Sequence, residues 1–193
     1  MDSMNTTLFP NHLLEKAKKI RCLICDVDGV LTDGTIFMTA EGTESRSFHV
    51  HDGMGLKFLM ASGIQVAIIT TSRVPVVDHR MRQLGIQHYY RGQISKIAAF
   101  EALKQKLQLP EEAFAYVGDD LPDWEIMQKV GLSIAVANAV PQVAHLADWK
   151  VSKPGGAGAV REVCDALLAL NQTSELALKH YLGSSAESSE AFQ

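Results

Sequence analysis

The sequence predicts an α/β fold, one parallel sheet with helices on both faces, and three observations predict it. Short apolar runs rich in Ile, Val and Ala alternate with stretches of helical spacing. The runs are apolar throughout rather than at every second position, as in strands covered on both sides. Strand, helix, strand, helix in sequence then requires right-handed crossovers, which put helices on each face and ligands in the crevice beyond the carboxyl ends of the strands.

Taken in order, Ile20 to Cys25 is the first strand. Thr35 to Val50 follows as a hairpin insertion, with β-type residues on either side of Ala40-Glu41-Gly42. Asp52 to Ser62 is a helix with an Asp at its start and Gly63 beyond its end. Ile64 to Thr70 is the next strand, Pro75 to Leu84 a helix closed by Gly85, and Ser95 to Leu107 a helix with apolar residues at helical spacing. Phe114 to Val117 and Leu132 to Ala137 complete the strands. From Gly183 onward Ser, Glu and Ala dominate, so the expectation is one domain over 1–182 and a flexible tail over 183–193.

At 193 residues the chain has room for one domain of ordinary size. Hydrophobic residues at 47% against charged residues at 21% supply enough apolar surface to order a core. A formal net charge of −4 gives no field to gather nucleic-acid phosphates or anionic lipid, which argues against nucleic acid and membrane as partners. No apolar run approaches the roughly 20 residues of a membrane span, and Met1 to Pro10 lacks the charged-then-apolar order of a secretory signal. Three cysteines, an odd number, suit a reducing compartment and point to the cytoplasm. Cys22 and Cys25 have the spacing of a redox pair, but residues three apart on a strand face opposite sides, so they read as core packing.

The first strand runs into Asp26-Val27-Asp28-Gly29, which sets two carboxylates at the crevice mouth. Repulsion and partial burial there raise a pKa or recruit a hard cation, and oxygen ligands suit magnesium. Alone, this pattern is equally a solvated turn. Later strands end in a hydroxyl at Thr70 and a second acidic turn, Gly118-Asp119-Asp120-Leu121-Pro122-Asp123, while Lys96 opens a helix between them. Singly, each has an ordinary reading as a strand-end hydroxyl, a solvated lysine or a helix cap. Together they fit phosphoryl transfer through an aspartate, because a carboxylate attacks phosphorus only when the charge on the phosphoryl oxygens is neutralised.

In this reading Asp26 is the nucleophile and Asp28 the general acid and base, protonated on arrival through burial beside another carboxylate. Thr70 and Lys96 hold the non-attacking oxygens. Magnesium is held by the Asp26 carboxylate, the Asp28 backbone carbonyl and Asp119, with Asp123 as an outer or water-mediated ligand and Asp120 able to exchange with either.

Asp26-x-Asp28, Thr70, Lys96 and Gly118-Asp119-Asp120-x-x-Asp123 resemble, in order, the four motifs of the haloacid dehalogenase superfamily. Within it the chain resembles the 3-deoxy-D-manno-octulosonate 8-phosphate phosphatases over roughly Ile20 to Leu170, in Asp26 to Gly34, Val66 to Thr70, Tyr116 to Leu121 with Asp123-Trp124, and Gly155 to Cys164. The resemblance implies a Rossmann-like sheet with a small hairpin and no cap domain, and a magnesium-dependent phosphatase feeding lipopolysaccharide assembly. It also implies a homotetramer in which hairpins pack together and a neighbour closes each site, a reasonable substitute for a lid. By the same resemblance the Gly155 to Gly158 loop and Arg161 reach a neighbouring site; the alternative is a turn capping the helix from Ala159.

The chain departs from that family twice. Where Thr-Gly-Arg is usual it has Thr70-Thr71-Ser72, with Arg73 one position late, and where Val-Arg-Asp-Gly is usual it has Val50-His51-Asp52-Gly53. Both changes remove an arginine fork suited to a carboxylate or phosphate. Thr71, Ser72, Arg73, His51 and Arg161 are therefore the candidate substrate-binding residues, and a nonulosonate 9-phosphate is the alternative substrate. The rival from another class is a receiver-like signalling domain, which also uses magnesium, an acceptor Asp, a hydroxyl and a lysine but keeps the phosphate. His49 and His51 share a strand face in this reading, as exposed hairpin histidines.

Overall fold

The structure, a computed structural model, describes residues 9–190. Its elements run α1 (Leu14–Lys19), β1 (Cys22–Cys25), β2 (Phe37–Met38), β3 (Glu44–Ser45), α2 (Val50–Ala61), β4 (Gln65–Ile69), α3 (Pro75–Leu84) and β5 (His88–Tyr90). There follow α4 (Lys96–Leu107), β6 (Phe114–Gly118), α5 (Trp124–Met127), β7 (Leu132–Ala135), α6 (Pro141–Leu146), β8 (Trp149–Lys150), α7 (Ala159–Leu170) and α8 (Ser174–Glu190).

Six strands make one parallel sheet in the order β5-β4-β1-β6-β7-β8. Numbered within the sheet this is 3-2-1-4-5-6, the doubly wound order whose ligand crevice opens where the connections part, between β1 and β6. Cys25 lies beside Ile68 on one side and Val117 on the other, so the next residues of all three strands emerge at the same rim.

Alternation along the strands assigns each side chain to a face. Leu23, Cys25, Ile68 and Val117 pack with α2, α3 and α7, while Cys22, Ile24, Ile69 and Tyr116 pack with α4, α5 and α6. The two cysteines of β1 thus lie on opposite faces, as expected. All of β1 and β6 is buried, and each large apolar side chain so placed contributes about 1.5–3 kcal/mol. Helix α7 buries Val160, Val163, Cys164, Leu167 and Leu168, an unbroken helical stripe.

Four local features differ from or extend the expectation. The edge strands β5 and β8 are additional to the predicted four; they are too short to carry a periodic signal. The hairpin shrinks to two pairs of residues, with an isolated bridge from Thr32 to Phe48, because Val50 already belongs to α2. His49 and His51 therefore do not share a strand face: His49 is the residue before α2, His51 lies in its first turn, and their rings meet edge-on at 5.1 Å. Helix α8 continues through Glu190 over the stretch expected as tail, and residues 191–193, like the 1–8 segment read for a secretory signal, lie outside the described residues. Among the described residues no helix is long and apolar enough to cross a membrane.

Candidate active site

The ends of β1 and β6 bring Asp26, Asp119 and Asp123 together, each offering a carboxylate oxygen within 4.8 Å of the others. Two glycines permit this approach. A Cβ on Gly29, which has φ +91°, would fall on the Asp119 carboxylate, and one on Gly118 would stand 2.6 Å from Asp123 Oδ2. Burial, opposed by the Lys96 charge, raises Asp26 to about 7. Burial and then the charges of Asp26 and Asp123 raise Asp119 to about 8.

Lys96 fills the floor of the cluster. Its side chain is 2% exposed, and Nζ stands 2.8 Å from Asp26 Oδ1 as an ion pair and donates to Asp123 Oδ1 at 2.6 Å. Burial pulls its pKa down, but the two carboxylates outweigh that and the net direction is up. The buried Tyr116 hydroxyl donates to the same Asp123 oxygen at 2.6 Å and accepts from Lys96 at 3.3 Å. Asp123 Oδ2 accepts from the backbone N–H groups of Asp119 at 2.9 Å and Asp120 at 3.4 Å.

Both oxygens of Asp123 are therefore engaged, whereas Asp119 Oδ1 is buried without a hydrogen-bond donor and Asp26 Oδ1 has the Lys96 ammonium beside it. A buried anionic oxygen without a donor is costly, and three clustered carboxylates carry more negative charge than one lysine offsets, so the donor set fits a hard divalent cation. Asp120 is exposed, caps the short turn Leu121–Asp123, and accepts from Leu121 N.

Thr70 is fully buried at the end of β4, where its hydroxyl accepts from Ser72 N at 3.0 Å. Asp28 differs from expectation. It is not buried beside a carboxylate: its side chain is 32% exposed, and Oδ1 accepts from Arg46 Nε at 2.7 Å. A partner 18 positions away on the hairpin is invisible to local pattern.

Between the hairpin turn and the start of α3 lies a cavity of about 790 Å³, lined by Glu44, Thr71, Arg73 and Val74 among others. Arg73 is exposed there, its Nη2 donating to Gly92 O at 3.4 Å. Ser72 is buried, and its Oγ accepts from Val74 N at 3.4 Å. His51 is exposed and does not line the cavity. Arg161 is also placed elsewhere: its Nε pairs with Asp165 at 2.7 Å and its guanidinium lies over Phe58.

The glycine loop buttresses the site from within the chain. Gly156 N donates to Val30 O at 2.9 Å, and a Cβ on Gly155 would fall on Gly29 O. Helix α7 starts at Ala159, and Asp52, whose burial raises its pKa, accepts from Gly158 N at 3.2 Å and Arg161 N at 2.7 Å. Asp52, Tyr116 and Arg46 are the contributors the sequence reading missed. The Asp ahead of a helix was visible in Asp52, but the helix it caps is α7.

Known proteins resemble this arrangement. The family model described as haloacid dehalogenase-like hydrolase matches residues 85–162. The 3-deoxy-D-manno-octulosonate 8-phosphate phosphatase of Salmonella typhi is 52% identical over 157 residues, 81% of this chain and 84% of that protein. The crystal structure of the Yersinia pestis phosphatase of the same name superposes with a TM-score of 0.84 at 46% identity, covering 86% of this chain and 89% of that one. The Moraxella catarrhalis phosphatase, solved with magnesium, phosphate and a KDO molecule, superposes with a TM-score of 0.85 at 40% identity, covering 90% and 99%. With its fold, its clustered carboxylates and this similarity over most of its length, the chain belongs to the 3-deoxy-D-manno-octulosonate 8-phosphate phosphatase family of haloacid dehalogenase-like hydrolases.

Proposed function

We propose that the protein hydrolyses 3-deoxy-D-manno-octulosonate 8-phosphate to the free sugar acid and phosphate through an aspartyl phosphate on Asp26. The observation that carries this reading is the cluster of Asp26, Asp119 and Asp123 carboxylates, with Lys96 on Asp26 and a donor-less oxygen on Asp119, at the fold's switch point. Asp26, Asp119 and the Asp28 backbone carbonyl would hold magnesium, with Asp123 behind them through water. Bound there, magnesium neutralises phosphoryl charge that would repel a carboxylate nucleophile. The magnesium, phosphate and sugar-acid complex of the Moraxella relative supports this choice.

In the first half-reaction an Asp26 oxygen bonds to phosphorus, the bond from phosphorus to the sugar oxygen breaks, and Asp28 protonates that oxygen. In the second, water attacks the acyl phosphate at phosphorus and gives its proton to Asp28. The bond from phosphorus to Asp26 breaks, and phosphate leaves. Lys96 and Thr70 hold the non-attacking oxygens throughout. Membership in a phosphatase family sets aside the receiver-like reading, in which phosphate stays on the chain.

The cavity beside Arg73 seats the sugar acid, with Arg73 on its carboxylate and Thr71 on the same wall, while the buried Ser72 holds the turn between them and Val74. His51 and Arg161 reach substrate across a neighbouring subunit in a homotetramer. Ile36, Phe37 and Met38 support that assembly: they are more than half exposed on the hairpin, a patch that a second copy would cover. The reaction serves lipopolysaccharide synthesis in the cytoplasm.

A phosphate-release panel tests the substrate. Eight-carbon 3-deoxy-D-manno-octulosonate 8-phosphate should turn over fastest. A faster nonulosonate 9-phosphate would move the assignment to nine-carbon acids, and equal rates on unrelated sugar phosphates would remove both.

A further inference from the structure

We infer that Arg46 is the positioning residue for Asp28, fixing one carboxyl oxygen so that the other is presented to the leaving group. This rests on the proposed role of Asp28 as acid and base.

Arg46 is out of keeping with its surroundings. The hairpin strands are largely exposed, yet the Arg46 side chain is only 4% exposed. Its guanidinium is used in three directions: Nε donates to Asp28 Oδ1 at 2.7 Å, Nη2 to Glu44 Oε2 at 2.8 Å and Nη1 to Ser45 O at 3.1 Å. That rigid fork is what an arginine supplies and a lysine does not. No other hydrogen bond holds the Asp28 carboxyl group among the described residues, and Gly29 with φ +91° follows it. Without Arg46, a half-exposed side chain would be free to rotate.

The contact survives both half-reactions. A carboxyl group keeps an acceptor oxygen whether it is neutral or ionised, so Nε can donate to Oδ1 in either state. Oδ2 then carries the proton given to the sugar oxygen and receives the one taken from water. Glu44, at the far end of the fork, also lines the cavity assigned to the sugar acid. One guanidinium thus joins the substrate wall to the acid.

Leaving-group dependence separates this role from a structural one. p-Nitrophenolate departs without protonation, whereas an alkoxide needs the acid, and kcat/KM reports the first phosphoryl transfer. Arg46→Met should lower kcat/KM for ethyl phosphate by roughly 10- to 100-fold and for p-nitrophenyl phosphate by less than about 3-fold, measured at a temperature where its melting curve shows it folded. Arg46→Lys should recover part of the ethyl phosphate loss, and Asp28→Asn should show the same contrast enlarged. If Arg46→Met fails to fold, Glu44→Gln releases the far end of the fork and should give a smaller contrast of the same sign.

Equal losses on both substrates, or none on either, would overturn the inference while Asp28→Asn keeps its contrast. An Asp28→Asn variant with no contrast would overturn the acid reading itself, and the positioning role with it.

Discussion

At the rim formed by β1 and β6 the functional side chains are buried and cross-held, whereas between the hairpin and α3 they are exposed and held by few bonds. Lys96 has carboxylates at 2.6 and 2.8 Å, and four donors converge on Asp123. Arg73 has one long hydrogen bond to a backbone carbonyl. The difference separates two tasks. Charge neutralisation at a reacting atom demands preorganised groups that do not move, while discrimination among sugar acids is set on loops that can vary without disturbing the sheet.

The sharpest break of this contrast is Asp26→Asn. It should lower kcat by roughly 10⁴-fold or more on every phosphate ester, with little loss of stability because the amide is nearly isosteric. Activity above a trace, measured on protein whose melting curve is intact, would mean that another group attacks phosphorus.

Arg73→Met should act on the other rim alone. We expect kcat/KM for the sugar-acid phosphate to fall roughly 10- to 100-fold, mostly through KM, with p-nitrophenyl phosphate hydrolysis within about 2-fold of the parent. Parallel losses on the two substrates would place Arg73 in the chemistry and erase the distinction between the rims.

The smallest effect is on stability. Burial raises Asp26 to about 7 and Asp119 to about 8 from an ordinary value near 4. A carboxyl whose folded pKa lies above its unfolded one contributes stability that is complete below about pH 4 and is lost as pH rises through 7 and 8. The metal-free protein should therefore melt lower at pH 8.5 than at pH 5.5, by about 2–4 °C for each kcal/mol lost. Magnesium binds the ionised form, so the rise in melting temperature on adding it should be larger at the higher pH. A larger rise at the lower pH in scanning fluorimetry would contradict the assigned ligands.

Much of the buried rim was legible in the sequence because Asp26, Thr70 and Asp119 stand at the ends of apolar runs, which parallel strands bring together, and Lys96 opens the helix between two of them. β1, β4, β6 and β7 and helices α2, α3 and α4 carry that signal within their own residues. β5 and β8 do not: His88–Tyr90 and Trp149–Lys150 are edge pieces shorter than a period needs. The side-chain bonds were equally hidden. Arg46 meets Asp28, Tyr116 meets Asp123 and Asp52 caps α7 through contacts that exist only once the chain has folded. His51 was misplaced because α2 begins at Val50, two residues before the Asp that marked its expected start.

The reach of Asp52 across 106 and 109 positions has a bearing on synthesis. A ribosome delivers about 5–20 residues each second, so this carboxylate emerges well before the amides that satisfy it. Until α7 leaves the exit tunnel the nascent sheet lacks a helix from one face, and the turn carrying Asp26 lacks its glycine brace. Consolidation of this face is thereby deferred until α7 has been made, so that a segment synthesised later locks down one synthesised earlier.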